Sequence, residues 1–222
     1  MNTRLLTITV CFCIMGCVNR PKLNRDLLVT DICNSFQQDE SIQSDSIKVE
    51  RIFDKQLSPY LQGISQDSAK ALRDFVYIRL QRECLAFKDI SDRLNHKRKK
   101  SDWRSVDIEP ESEINEESFN NFFKHENLKY LETNGDTSVA YVTDSIWEDH
   151  FLDGTYSRLL LSKINKSEFV ITFVESDNKG RRNFSKPGDK YRYKILKQNN
   201  GYYSMFVQPV GSKIKSLFKL YY

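Results

Sequence analysis

The chain has no run of about eighteen consecutive apolar residues, so no part of it reads as a stable membrane-spanning helix. Glycine is scarce, eight in 222 residues. Apart from Gly16, the glycines fall at turns, which excludes a phosphate-cradling G-x-G-x-x-G or P-loop. Proline is rarer still, at five, and no repeat or low-complexity tract appears. There are only three histidines. His96, His125 and His150 are scattered and share no ligand spacing with cysteine, so no metal site is expected. Neither sign of charge dominates: 34 basic and 30 acidic residues leave +4, too little to argue for a nucleic-acid partner. What remains, 39% apolar and 29% charged, suits a folded globular chain of one domain or two small ones.

The N-terminus carries a targeting segment. Arg4 supplies a positive start, and Leu5 to Gly16 (LLTITVCFCIMG) is an apolar stretch too short to anchor in a bilayer. It closes on Ile14-Met15-Gly16-Cys17. This resembles the lipobox of bacterial lipoproteins: an aliphatic residue, a tolerant position, a small residue, then cysteine. Met15 departs from the small or hydroxyl residue usual at the tolerant position. The resemblance implies lipidation of Cys17 on sulfur, with palmitate-type chains, and cleavage after Gly16, leaving Cys17 as the mature N-terminus. It also implies a membrane partner reached through that lipid, because two or three acyl chains anchor stably where one would not. The residues that follow, Val18 to Lys22, contain no acid. In lipoproteins of gut Bacteroidetes an acidic cluster there resembles a surface-export signal. Its absence favours the periplasmic face of the outer membrane in the cell envelope.

Cys11 and Cys13 fall in the signal and Cys17 is taken by lipid, which leaves Cys33 and Cys84 in an oxidising compartment. A disulfide between them would close a loop of about 51 residues and contribute about 4 kcal/mol by chain entropy. Two buried free thiols on helix faces are the alternative.

The apolar periodicity divides the chain into 1–16 (signal), 17–25 (tether), 26–100 (helical), 101–117 (charged linker) and 118–222 (antiparallel β). About three helices are expected. Leu28, Ile32 and Phe36 stripe the first; Val49, Ile52, Phe53, Leu57, Tyr60 and Leu61 stripe the second, with Gly63 as its stop. Ser65 caps the third, which carries one apolar face from Leu72 through Cys84 to Leu94. Beyond Phe119 the aromatic density rises, with 19 of the 27 aromatic residues in 118–222, and the period falls to two. Eight candidate strands are separated by turn residues such as Asn134-Gly135, Asp153-Gly154 and Asn200-Gly201. This pattern predicts an α+β protein whose C-terminal meander is curved or barrel-like.

Three constellations are candidates for chemistry or binding. Trp147-Glu148-Asp149-His150 could place Glu148 and His150 on one side of a strand for acid/base work. The loop from Lys179 to Lys186 interleaves Arg181, Arg182 and Lys186 with Phe184, as an anion- or polysaccharide-contacting surface would. Tyr191, Tyr193 and Tyr202 could line a pocket, since tyrosine is apolar along its body and polar at its tip. No catalytic residue and no cofactor is expected. The leading expectation is a non-enzymatic, membrane-anchored binding or interaction lipoprotein that meets another envelope protein. The alternatives are a lipid or small-molecule carrier with a lipocalin-like cavity and, third, an envelope hydrolase.

Overall fold

The computed structural model describes residues 22–95 and 102–222. Cys17, the signal segment and most of the expected tether lie outside the described residues, as does the basic run 97–100.

Among the described residues, four helices form the N-terminal half: α1 (Arg25–Gln38), α2 (Asp45–Leu61), α3 (Gln66–Glu83) and α4 (Leu85–Asn95). The Asn24 side chain caps α1 by accepting from the Asp26 and Leu27 amides, and Ser65 caps α3 through the Ser68 amide. Gly63 follows α2 with φ +65°, the left-handed conformation that lets the chain reverse. Their apolar faces meet in one core built on Ile32, Phe36, Leu57, Val76, Leu80 and Phe87.

The single long third helix expected from sequence is two helices. Cys84 adopts an extended conformation between α3 and α4 and is bonded to Cys33 of α1 across a Cα–Cα distance of 5.5 Å. The apolar stripe runs on across the break because both helices face the same core, so periodicity alone does not show it.

The C-terminal half is a closed antiparallel barrel of eight strands: β2 (Asn127–Leu131), β3 (Thr137–Val142), β4 (Ile146–His150), β5 (Tyr156–Lys163), β6 (Glu168–Ser176), β7 (Lys190–Asn199), β8 (Tyr202–Pro209) and β9 (Ser216–Tyr221). Each pairs with the next, and β9 returns to β2. Alternation decides which side chains enter: Leu128 and Tyr130, Trp147, Leu159 and Leu161, Phe169 and Ile171, Met205 and Phe218 all point inward. Register shifts at Arg158/Leu159 and at Ile195/Lys197 are the irregularities that let a sheet curl tightly.

The two ends of the barrel differ. At one end the short helix α5 (Glu116–Phe122) inserts Phe119 and Phe122. Phe122 packs against Phe123, Phe169 and Tyr203 with ring centroids 5.0, 5.7 and 5.0 Å away. The Lys163 ammonium lies 4.2 Å over the Phe123 ring, and His125 stacks on Tyr222 at 4.4 Å. That end is filled.

At the other end the β6–β7 connection folds into α6 (Lys179–Phe184), capped by Asn178, and the helical half packs over it. Arg82 of α3 reaches Asp189 at 3.1 Å and the Tyr191 hydroxyl at 3.2 Å, while its carbonyl accepts from Ser212 at 3.2 Å. Lys186 pairs with Asp26 of α1.

Residues 102–115 link the halves as a strap on the barrel wall. Strand β1 (Arg104–Ser105) pairs with β9. Glu109 forms ion pairs with Arg192 and with Lys194, and the Glu113 amide donates to the Leu196 carbonyl at 2.7 Å. The acidic residues that read as a linker thus meet basic groups on the outer face of β7. Val106 covers an outer apolar patch of Leu196, Phe206 and Leu217.

β2 and β9 share one residue pair, Lys129 with Tyr221. Beside that pair, Trp103 fills the seam. Its ring stacks on Phe218 at 4.3 Å, and its indole N–H donates to the Leu131 carbonyl at 2.8 Å.

Candidate functional site

Eight strands leave an interior just wide enough to be filled by side chains or to hold one small ligand. Here both occur. The α5 end is packed solid, while toward the helical end the barrel encloses a cavity of about 310 Å³. Eight of its lining side chains are aromatic, Trp103, Tyr130, Trp147, Tyr193, Phe184 and Phe218 among them. Arg82, Lys88 and Asp92 from α3 and α4 border it on the helical side, so access lies beneath the helical half.

Besides the rings, the wall carries polar and charged groups, of which Asp149, Glu132 and Arg181 form one cluster. Asp149 enters because β4 alternates: Trp147 and Asp149 point inward, Glu148 and His150 outward. The Trp147 indole N–H donates to Asp149 Oδ1 at 2.8 Å. Arg181, at the start of α6, pairs with Glu132 of the β2–β3 turn, and Ser138 Oγ also donates to Glu132 at 2.7 Å. The Arg181 guanidinium lies over the Phe151 ring at 4.7 Å. Deeper in, Tyr193 stacks on Phe169 at 5.3 Å and lies 5.8 Å from Trp147.

Burial dominates the electrostatics of this cluster. It pushes the Asp149 carboxyl up from 3.8 to about 6, against the pull of the Arg181 charge and of the Trp147 and Tyr130 donors. Burial also raises the Tyr130 and Tyr193 hydroxyls. For Arg181 burial would favour the neutral form, but Tyr130, Glu132 and Asp149 around it outweigh that and hold it more firmly protonated than usual.

The Asp149 shift has a stability consequence. The folded chain keeps a proton that the unfolded chain releases between pH 3.8 and about 6. Stability therefore falls as pH rises through that window. Asp149→Asn removes the titration, and all other groups cancel in the comparison. Urea denaturation of the two proteins should show the variant gaining on wild type by about 2 kcal/mol between about pH 4 and about pH 7. A difference that stays flat with pH would mean the carboxylate is well solvated.

The structure places the residues singled out in the sequence unequally. Arg181, Phe184, Tyr191 and Tyr193 all line the cavity. Tyr191 also exchanges a 2.5 Å hydrogen bond with Ser185. Arg182 turns back to donate to the Ser176 carbonyl at 3.0 Å, Lys186 is engaged by Asp26, and Tyr202 sits at the filled end against Tyr221. These three lie apart from the cavity. The Lys179–Lys186 stretch is accordingly helix α6 followed by Ser185 and Lys186, and Arg181, Arg182 and Lys186 serve three different contacts.

Glu148 and His150 do meet, at 2.8 Å, but on the outer barrel face, where Arg158 also pairs with Glu148 at 2.9 Å. They converge in no cleft. The sequence places Trp147 and Asp149 in a candidate constellation but gives its chemistry to Glu148 and His150, and it passes over Glu132 and Trp103. The inward side of β4 is available from Trp147, whose bulk marks the buried face and takes Asp149 with it. Nothing local in the sequence marks Glu132 or Trp103.

Among the described residues no cluster of three or more histidine, cysteine or acidic side chains could hold a metal ion, and no helix is long and apolar enough to cross a membrane. Comparison with known protein families, curated proteins and solved structures finds no match.

Proposed function

We propose that this protein is a membrane-tethered binding lipoprotein of the bacterial envelope whose barrel takes up one small, largely apolar molecule from the helical end. The observation that carries this reading is the cavity of about 310 Å³ toward the helical end, with eight aromatic side chains in its wall and Asp149, Glu132 and Arg181 converging beside them. Pockets for small molecules run from about 300 to 1,000 Å³ and have that composition. The volume lies at the small end, so the occupant is a single compact molecule and not a whole two-chained phospholipid. The lipobox-like Ile14 to Cys17 supports the tether, and the Cys33–Cys84 disulfide suits an oxidising compartment.

The test is to express the full chain in a bacterium that processes lipoproteins, then analyse it by native mass spectrometry in mild detergent. A bound small molecule and acyl mass on Cys17 are expected. Val207→Phe projects a ring into the cavity from β8 and should abolish retention of the molecule and uptake of an apolar fluorescent dye. A wild-type protein that carries no molecule and takes up no dye would overturn the reading. Absence of acyl mass would overturn the tether alone.

A further inference from the structure

Resting on the reading that the barrel interior is a small-molecule site, we propose that its occupant carries a protonated amine or a related cationic N–H group, seated against Asp149 between the rings of Trp147, Tyr130 and Tyr193. Inside the wall, Asp149 and Glu132 are the acids and Arg181 is the base that faces them. Arg181 forms its ion pair with Glu132. It acts on Asp149 only through its field, and the side-chain hydrogen bonds Asp149 receives come from neutral donors, the Trp147 indole and the Tyr130 hydroxyl.

Of the other bases bordering the cavity, Arg104 lies exposed on β1, and Arg82 and Lys88 are engaged. Arg82 pairs with Glu83 and Asp189 at 3.1 Å each, and Lys88 pairs with Asp92 at 2.5 Å. Among the described residues Asp149 therefore forms no ion pair of its own, although it is half-buried in the wall and feels the Arg181 charge. That arrangement is costly to the free protein and is relieved by a ligand that brings the missing positive charge.

The surrounding rings favour the same ligand. Trp147 and Tyr193 lie 5.8 Å apart with an interplanar angle of 32°, and Tyr130 and Trp103 meet edge to face at 6.2 Å. Ring faces attract a cation through their quadrupoles, most strongly where water is excluded. An anion would meet a cluster with two acids and one base. A neutral molecule would gain the apolar burial but leave Asp149 as it was.

Three probes of similar shape separate these cases: tryptamine, 3-ethylindole and indole-3-propionate, titrated calorimetrically against the full-length protein near neutral pH. Tryptamine should bind about 10- to 100-fold more tightly than 3-ethylindole, the effect of one charge-assisted hydrogen bond. Indole-3-propionate should bind most weakly. In Asp149→Asn the preference for tryptamine over 3-ethylindole should collapse to within about threefold. The ranking on wild type needs no variant, so it stands even if the substitution perturbs folding.

Equal affinities, a preference for the anion, or a tryptamine preference that survives in Asp149→Asn would each overturn the inference. Entry of the apolar dye into the barrel, with none of the three probes able to follow, would overturn it too. If neither dye nor probes bind, the small-molecule site itself is wrong and this inference falls with it.

Discussion

Replacing Cys33 and Cys84 by alanine is expected to lower stability by about 4 kcal/mol, with the loss concentrated in the helical half. The bridge closes a separation of 51 residues, and the chain-entropy model puts a loop of that size at about 4 kcal/mol. The helical half is short for a unit with its own core, and small cores lean on staples. Its helices also carry limited local stabilisation: α2 has no side-chain cap bond at Ser44, and α3 and α4 are interrupted by the extended Cys84. Both tryptophans, Trp103 and Trp147, belong to the barrel, so their fluorescence reports that half, while far-UV helicity reports the other. In urea the double variant should lose helicity at lower denaturant than it loses tryptophan fluorescence. Coincident transitions shifted by less than about 1 kcal/mol would mean the bridge adds little beyond the packing around it.

Phe122→Ala should cost a similar amount, about 3 to 5 kcal/mol, for a different reason. Phe122 is fully buried and contacts three rings of the barrel's filled end. Truncation removes the transfer energy of a phenyl group, leaves a cavity, and forfeits ring contacts worth about 0.5 to 1.5 kcal/mol each. Tryptophan fluorescence in urea measures the loss directly. Dye uptake adds a second reading, because opening this end should increase it. A loss below about 1.5 kcal/mol would show that α5 refills the space.

Much of the fold is legible in the residues alone. All eight barrel strands follow the alternation of apolar residues and the turn glycines, because a half-buried antiparallel strand leaves a period-two record. Helices α1 and α2 are similarly plain from their stripes and from Gly63. Three features are hidden for physical reasons. The break at Cys84 leaves the apolar stripe intact, since α3 and α4 share a core. Helix α6 spans only six residues with no buried face, so no periodicity announces it. The strap over 102–115 gains its order from Glu109 and Glu113 meeting Arg192, Lys194 and Lys197, partners 83 to 85 residues away.

The candidate site is harder still to read. Tyr191, Tyr193, Phe184 and Arg181 stand out as residue types suited to binding, but their convergence depends on barrel closure. Asp149 is eclipsed by its neighbours, because Glu148 and His150 look like catalytic residues and a half-buried aspartate does not. Direction along β4 decides the matter, and Trp147 sets that direction.

The seam between β2 and β9 bears on how the molecule is assembled. Seven of the pairings around the ring join strands that are neighbours in sequence and can zip locally. The last joins Lys129 to Tyr221, roughly 90 residues apart, and loop-closure entropy makes such long-range pairings the slowest to form. Trp103 can settle against Phe218 and the Leu131 carbonyl only when both strands are present. Until residue 221 has been synthesised and delivered, the pocket therefore does not exist. On the proposed reading, a chain that crossed a membrane unfolded would do so with the pocket unformed, and could take up a ligand only after folding.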